Sequence, residues 1–204
     1  MCIDQIENIQ IVEAPGDKSP RCPYYQFVDE VRLNKLVVNL LGALFAILLL
    51  ALFVGIVFLL PHRVNVFDHM LVFYIALLPV LVFHEVLHAW AAVHYGGLSF
   101  ADIKFGMNWK GLMPYCHIRR PIAERHYRLA GLMPLTVTGP ASIGLVFLYP
   151  HMGSAMLASV AISICTGDLL TISKLRPYRD NNLFVYDHPS EPGFIIYTLR
   201  DSDC

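Results

Sequence analysis

The sequence predicts an all-α polytopic membrane protein: four transmembrane helices with a small β-hairpin on the cytoplasmic side. Three observations predict it. Of the 204 residues, 56% are hydrophobic and only 15% charged, against roughly 45–50% and about 25% in soluble domains. The apolar residues gather in four long, nearly uncharged runs. The basic residues avoid alternate connections between those runs.

The polar segment 1–33 reads as an N-terminal tail. Leu36 to Leu60 then runs without a charge, with Asn39 its one polar interruption. About 20 apolar residues cross a bilayer, so a first span is expected over about 34–60. Its distance from the start separates it from a cleaved signal peptide. Met70 to Phe83 opens a second run that continues through His84, Glu85 and His88 to Gly96-Gly97, predicting a span over about 68–95. Two further runs, Leu129 to Pro150 and Met152 to about Ser173, predict spans over about 127–150 and 152–174. Between the second and third, Ser99–Met107 and Leu112–Ile118 are rich in β-formers around a turn at Asn108 to Gly111, which predicts a hairpin over about 99–118. After the four-span domain, 34–175, residues 176–204 read as a second cytoplasmic tail, with a short strand expected at Phe194 to Tyr197.

Of the 15 Lys and Arg residues, only Arg63 lies in the connection after the first span and none lies at Pro150 to Gly153. The other 14 lie in the first 35 residues, in 96–128 and from Lys174 onward. The positive-inside rule then places both termini and the hairpin in the cytoplasm. A net charge of −1 gives no sign of a nucleic-acid partner. Five cysteines without a C-x-x-C pair argue against a disulfide framework or a Cys-rich zinc knot.

His84-Glu85-Val86-Leu87-His88 is an H-E-x-x-H motif. On a helix, residues i and i+4 share a face, so both imidazoles reach one metal, while Glu85 stands beside it as a base toward water. Zn2+ is the usual occupant. With nine His and six Glu in the chain, a chance match is expected about once in a hundred such sequences. A carboxylate at membrane depth costs about 2.5–3.5 kcal/mol on insertion scales, and function or pairing keeps it there. A catalytic zinc has three protein ligands. Asp168, the one charged side chain between Met152 and Ser173, is the leading candidate for the third; His94 and His188 are alternatives. Cys165 lies one turn before Asp168. Asp187-His188 reads first as a turn before Pro189, with capping the site or steadying a ligand as the alternative. Arg119, Arg120, Arg125 and Arg128 suggest lipid headgroup contacts.

The run Phe83 to Ala89, the Gly167-Asp168-Leu169-Leu170 element, Leu175-Arg176, and Asp187-His188-Pro189 before Gly193-Phe194 resemble the small putative zincin peptidase family. That family comprises four-span, mostly bacterial relatives of the site-2 protease class. The resemblance covers about residues 30 to 200. It implies that His84, His88 and Asp168 bind zinc and that Glu85 is the catalytic base. It also implies a multi-pass protein of the bacterial cell membrane. Site-2 proteases usually have Gly after the third-ligand Asp, where this chain has Leu169. They often have an Asn shortly after Gly-Pro, where Gly139-Pro140 is followed by Ala141, Ser142 and Ile143. Thr138 and Ser142 are the hydroxyls available instead.

The function expected is zinc-dependent intramembrane endopeptidase activity on a membrane protein or peptide, in contact with the lipid bilayer. An extended substrate segment would pair with an edge of the hairpin. The alternatives are a zinc hydrolase with a non-peptide substrate and a non-proteolytic membrane metal-binding protein.

Overall fold

The computed structural model describes residues 24–60, 70–108, 113–180, 182–189 and 191–200. Four helical stretches are long and apolar enough to cross a bilayer: Lys35–Leu59, Phe73–Gly96, Glu124–Leu148 and Met152–Leu175. The first is α1 (Lys35–Leu59), whose N-cap Asn34 accepts hydrogen bonds from the amides of Leu36 and Val37, satisfying two of the donors a helix start leaves open. The second belongs to α2 (Met70–Gly96), which stops where Gly97 turns to φ +69°. α3 (Glu124–Leu148) begins five residues before the apolar run that announced it. Its first turn is charged, and hydropathy alone does not see it.

The fourth span departs from the expected single helix. It is two helices, α4 (Met152–Ser163) and α5 (Thr166–Leu175), separated at Ile164 and Cys165. Along α4, Gly153, Ala155, Ala158 and Ala161 are buried. Small residues let helices approach closely, and α4 packs here on Phe53 and Val57 of α1 and Val146 of α3.

The all-α expectation also needs a correction. The predicted hairpin is present as β2 (Ile103–Asn108) and β3 (Met113–Ile118), antiparallel with Ile103 opposite Ile118. Residues Phe100–Asp102 ahead of it form a 3-10 turn rather than strand. The predicted turn falls mostly outside the described residues. A second sheet joins the segments read as tails. Its strands are β1 (Tyr24–Arg32), β4 (Ile122–Ala123), β5 (Leu183–Asp187) and β6 (Gly193–Arg200), in the order β1-β6-β5-β4, all antiparallel. The strand expected at Phe194 to Tyr197 lies inside β6. At its start, Gly193 has φ +146° and lies so close to β1 that a β-carbon would meet the Val31 carbonyl oxygen at 2.1 Å, so glycine alone fits.

Period-two alternation explains the two faces of this sheet. Phe194 and Ile196 are fully buried with Val185 against Ala89, Ala92, Tyr127, Ala130 and Leu175 of the helices. Tyr25, Ile195 and Tyr197 face the other way, in an aromatic cluster with Phe184 and Tyr186. β4 leads straight into α3, and Leu33 N–H donates to the Pro192 carbonyl just before α1. Every strand therefore lies at one end of the helical bundle, where α1 and α3 begin and α2 and α5 end.

Candidate metal centre

His84 and His88 lie one turn apart on α2, and Asp168 lies in the first turn of α5. The structure brings all three together. His84 Nε2 is 3.2 Å from His88 Nε2 and 3.3 Å from Asp168 Oδ2, and His88 Nε2 is 3.4 Å from Asp168 Oδ1. Atoms about 2.0–2.1 Å from a tetrahedral zinc stand about 3.3 Å apart. The three distances match one face of such a tetrahedron.

The donor set supports the same reading. His88 Nδ1 lies 2.8 Å from the Ala130 carbonyl. A carbonyl only accepts, so the proton sits on Nδ1 and the lone pair on Nε2 points at the cluster. That carbonyl is available for a reason written in the sequence. In an α-helix the amide of residue 134 would bond the carbonyl of residue 130, but residue 134 is proline and has no N–H. On the other imidazole, His84 Nδ1 faces Cys165 Sγ at 3.9 Å. Cys165 thus meets the far side of the ring, not the cluster. Asp168 Oδ2 is buried without a hydrogen bond of acceptable geometry, as expected of an oxygen whose partner is a cation.

Glu85 is held from the hairpin. Its Oε2 accepts the Cys116 backbone N–H at 2.7 Å. Cys116 lies opposite Phe105 in the ladder, and its amide points away from β2. Two residues on, with the same phase, Ile118 N–H donates to Asp187 Oδ2 at 2.7 Å. Pro114, of that phase too, has no N–H. The inner edge of β3 is therefore engaged by two carboxylates. Asp187 Oδ1 also accepts the Tyr127 hydroxyl at 2.6 Å, and His117 Nδ1 lies 3.8 Å from Oδ2. Burial pushes the Asp187 carboxyl above the usual carboxylate range, against these donors. Burial likewise pushes the Cys116 thiol well up. A cavity of about 820 Å³ runs beside the edge, lined by Glu85, His88, Cys116, Asp168 and Asp187 among others.

The alternative ligands lie elsewhere. His94 stacks on Trp90 with ring centroids 5.0 Å apart. His188 Nε2 is 2.9 Å from Glu30 Oε1 on β1, and His188 Nδ1 accepts the Glu191 amide. Thr138 donates to the Pro134 carbonyl of its own helix at 2.7 Å. Arg128, read from sequence as a lipid contact, is turned inward. It pairs with Glu124 and donates to the Leu175 carbonyl at 2.7 Å, capping α5. The sequence reading missed Ala130, Tyr127 and the Cys116 amide. Pro134 was the available signal for the first.

A profile of the family described as "Putative zincin peptidase" matches residues 77–183, just over half of the chain. The chain belongs to this family. The match contains His84, Glu85, His88, Asp168, Ala130 and the hairpin, and it stops before Asp187 and β6. Zincins are zinc metallopeptidases, and the converging His84, His88 and Asp168 suit that metal. Compared with curated proteins and with solved structures, the chain matches none.

Proposed function

We propose that the protein is an intramembrane zinc endopeptidase in which His84, His88 and Asp168 hold the metal and Glu85 is the general base. The observation that carries this reading is the convergence of three ligand atoms from two long apolar helices at 3.2 to 3.4 Å, with a carboxylate beside them. Zinc bound there supplies Lewis acidity toward a water and a peptide carbonyl.

The chain's own residues divide the remaining work. Ala130 keeps the His88 proton on Nδ1. Cys116 N–H fixes one oxygen of Glu85, leaving Oε1 to take a proton from the attacking water and return it to the departing amine. Asp168 would supply the third ligand oxygen and offset the cation's charge. The aliphatic surface around α1 is that of a lipid-facing helix: Leu36 is 65% exposed and Ile47 64%. With the strands cytoplasmic, as the distribution of Lys and Arg indicates, the cavity opens toward that side. Its substrate is an extended segment of a membrane protein or peptide near the cytoplasmic face. Because the inner edge of β3 is engaged, this segment lies in the cavity rather than pairing with that edge.

The test is metal content and cleavage measured together on purified protein. Wild type is expected to hold one zinc per chain and to cleave transmembrane peptides from a labelled library. Glu85→Gln is expected to keep the zinc and lose cleavage, and His84→Ala and Asp168→Ala to lose both. Cleavage by metal-free His84→Ala protein would overturn the reading. Zinc held by four protein ligands without hydrolysis would make the protein a structural metal binder.

A further inference from the structure

We propose that Asp187 is a positioning residue for Glu85, acting through strand β3. The role of Glu85 rests on the function proposed above; the positioning of β3 does not.

The argument begins with the backbone. In an antiparallel ladder, amides alternate between the partner strand and the free edge. The inner-edge amides of β3 are those of Cys116 and Ile118, and each is received by a carboxylate: Glu85 from α2 and Asp187 from β5. Asp187 spends its second oxygen on the Tyr127 hydroxyl of α3. One side chain thus ties the hairpin to the four-stranded sheet and to α3. The residue β3 must place, Cys116 N–H, is two positions along the same rigid strand. Tyr127 lies one helical turn before Ala130, whose carbonyl orients His88. The turn of α3 that anchors Asp187 therefore also anchors a proposed metal ligand, so the base and the metal cluster share one frame. Releasing Asp187 frees β3 to shift, and an ångström of shift at a reacting group can cost about a hundredfold in rate.

The chemistry selects a side chain with two polar atoms, one to accept from Ile118 N–H and one to pair with the Tyr127 hydroxyl. Asparagine retains the arrangement: its carbonyl accepts from Ile118, and its amide donates to a Tyr127 hydroxyl that turns to accept. Alanine retains neither bond. A separate probe cuts the link at its other end. Cys116→Pro removes the amide that Glu85 uses and no ladder bond, and β3 already carries Pro114 at the same phase.

The experiment compares wild type, Asp187→Ala, Asp187→Asn, Cys116→Pro and the double variant Asp187→Ala/Cys116→Pro as full-length protein in detergent. Three readouts are taken: amide hydrogen exchange over residues 113–118, zinc content, and kcat and KM for a cleaved peptide. Asp187→Ala is expected to speed exchange at both Cys116 and Ile118, to keep zinc, and to lower kcat about a hundredfold with KM little changed. Asp187→Asn is expected to restore all three toward wild type. Cys116→Pro is expected to lower kcat alike while Ile118 stays protected, and the double variant to be no slower than either single one. The proposal is overturned if Asp187→Ala leaves exchange at Cys116 unchanged, if it loses zinc, or if Asp187→Asn is as damaged as Asp187→Ala. If wild-type protein neither holds zinc nor cleaves, the proposed function fails, while the exchange measurements still decide whether Asp187 sets β3.

Discussion

At His88, a proline on another helix decides which nitrogen is free. Without an amide at Pro134, the Ala130 carbonyl turns to the imidazole, fixing its proton on Nδ1. Pro134→Ala returns a competing donor to that carbonyl. Zinc affinity, measured by competition with a chelator, is expected to fall about tenfold, with the helix otherwise intact. His84, Glu85 and His88 were legible because a helix brings i and i+4 together whatever surrounds it. Asp168 was legible as a lone acid in an apolar run. The partners of these residues were not. Ala130 contributes a backbone carbonyl and Cys116 a backbone amide, and neither group is marked by the identity of its own residue.

Among the elements, the break between α4 and α5 was invisible to hydropathy, because Ile164 and Cys165 are as apolar as their neighbours. It nevertheless sets α5 apart as the short helix that carries Asp168. The four-stranded sheet escaped notice for another reason. β1 lies in a segment read as a polar tail and pairs with β6 near the other end of the sequence, and β4 has only two residues. The hairpin was readable from β-formers around a turn, but not the Asp102 turn that leads into it. Asp102 accepts from the Ser99 amide and hydroxyl and pairs with Arg120 at 3.2 Å. These hydrogen bonds and the guanidinium hold its carboxyl below the usual range. Its stabilisation is therefore present above the unfolded aspartate value of about 3.9 and is lost as pH falls through the lowered folded value. The Ser99 amide resonance is expected to hold steady from neutral pH to about 4 and to move only below it. Asp102→Asn should show the moved position already at pH 7.

For the whole molecule, the outward apolar side chains and the one-ended strands lead to different experiments. Ile47, in the middle of α1, is exposed. On a water-facing surface Ile47→Arg would change stability by at most about 0.5 kcal/mol. In lipid it is expected to cost about 2.5–3.5 kcal/mol, read as lost insertion in a glycosylation-reporter assay. Orientation is checked by single-cysteine labelling in intact cells. A cysteine at position 63 is expected to react with a membrane-impermeant maleimide, and one at Lys104 to react only after permeabilisation. Unchanged insertion of Ile47→Arg, or the opposite labelling pattern, would remove the membrane topology while leaving the metal cluster to be judged separately.

The strand order carries one more implication. β6 sits between β1 and β5, so β1 has no partner until β6 has been translated, with all four long helices already made. His84, Glu85, His88 and Asp168 all precede it. During biosynthesis the residues of the proposed metal site are therefore translated before the sheet that frames them can close. On the proposed function, a nascent chain stalled short of Gly193 carries every proposed zinc ligand while the cavity beside them still lacks its closing strand.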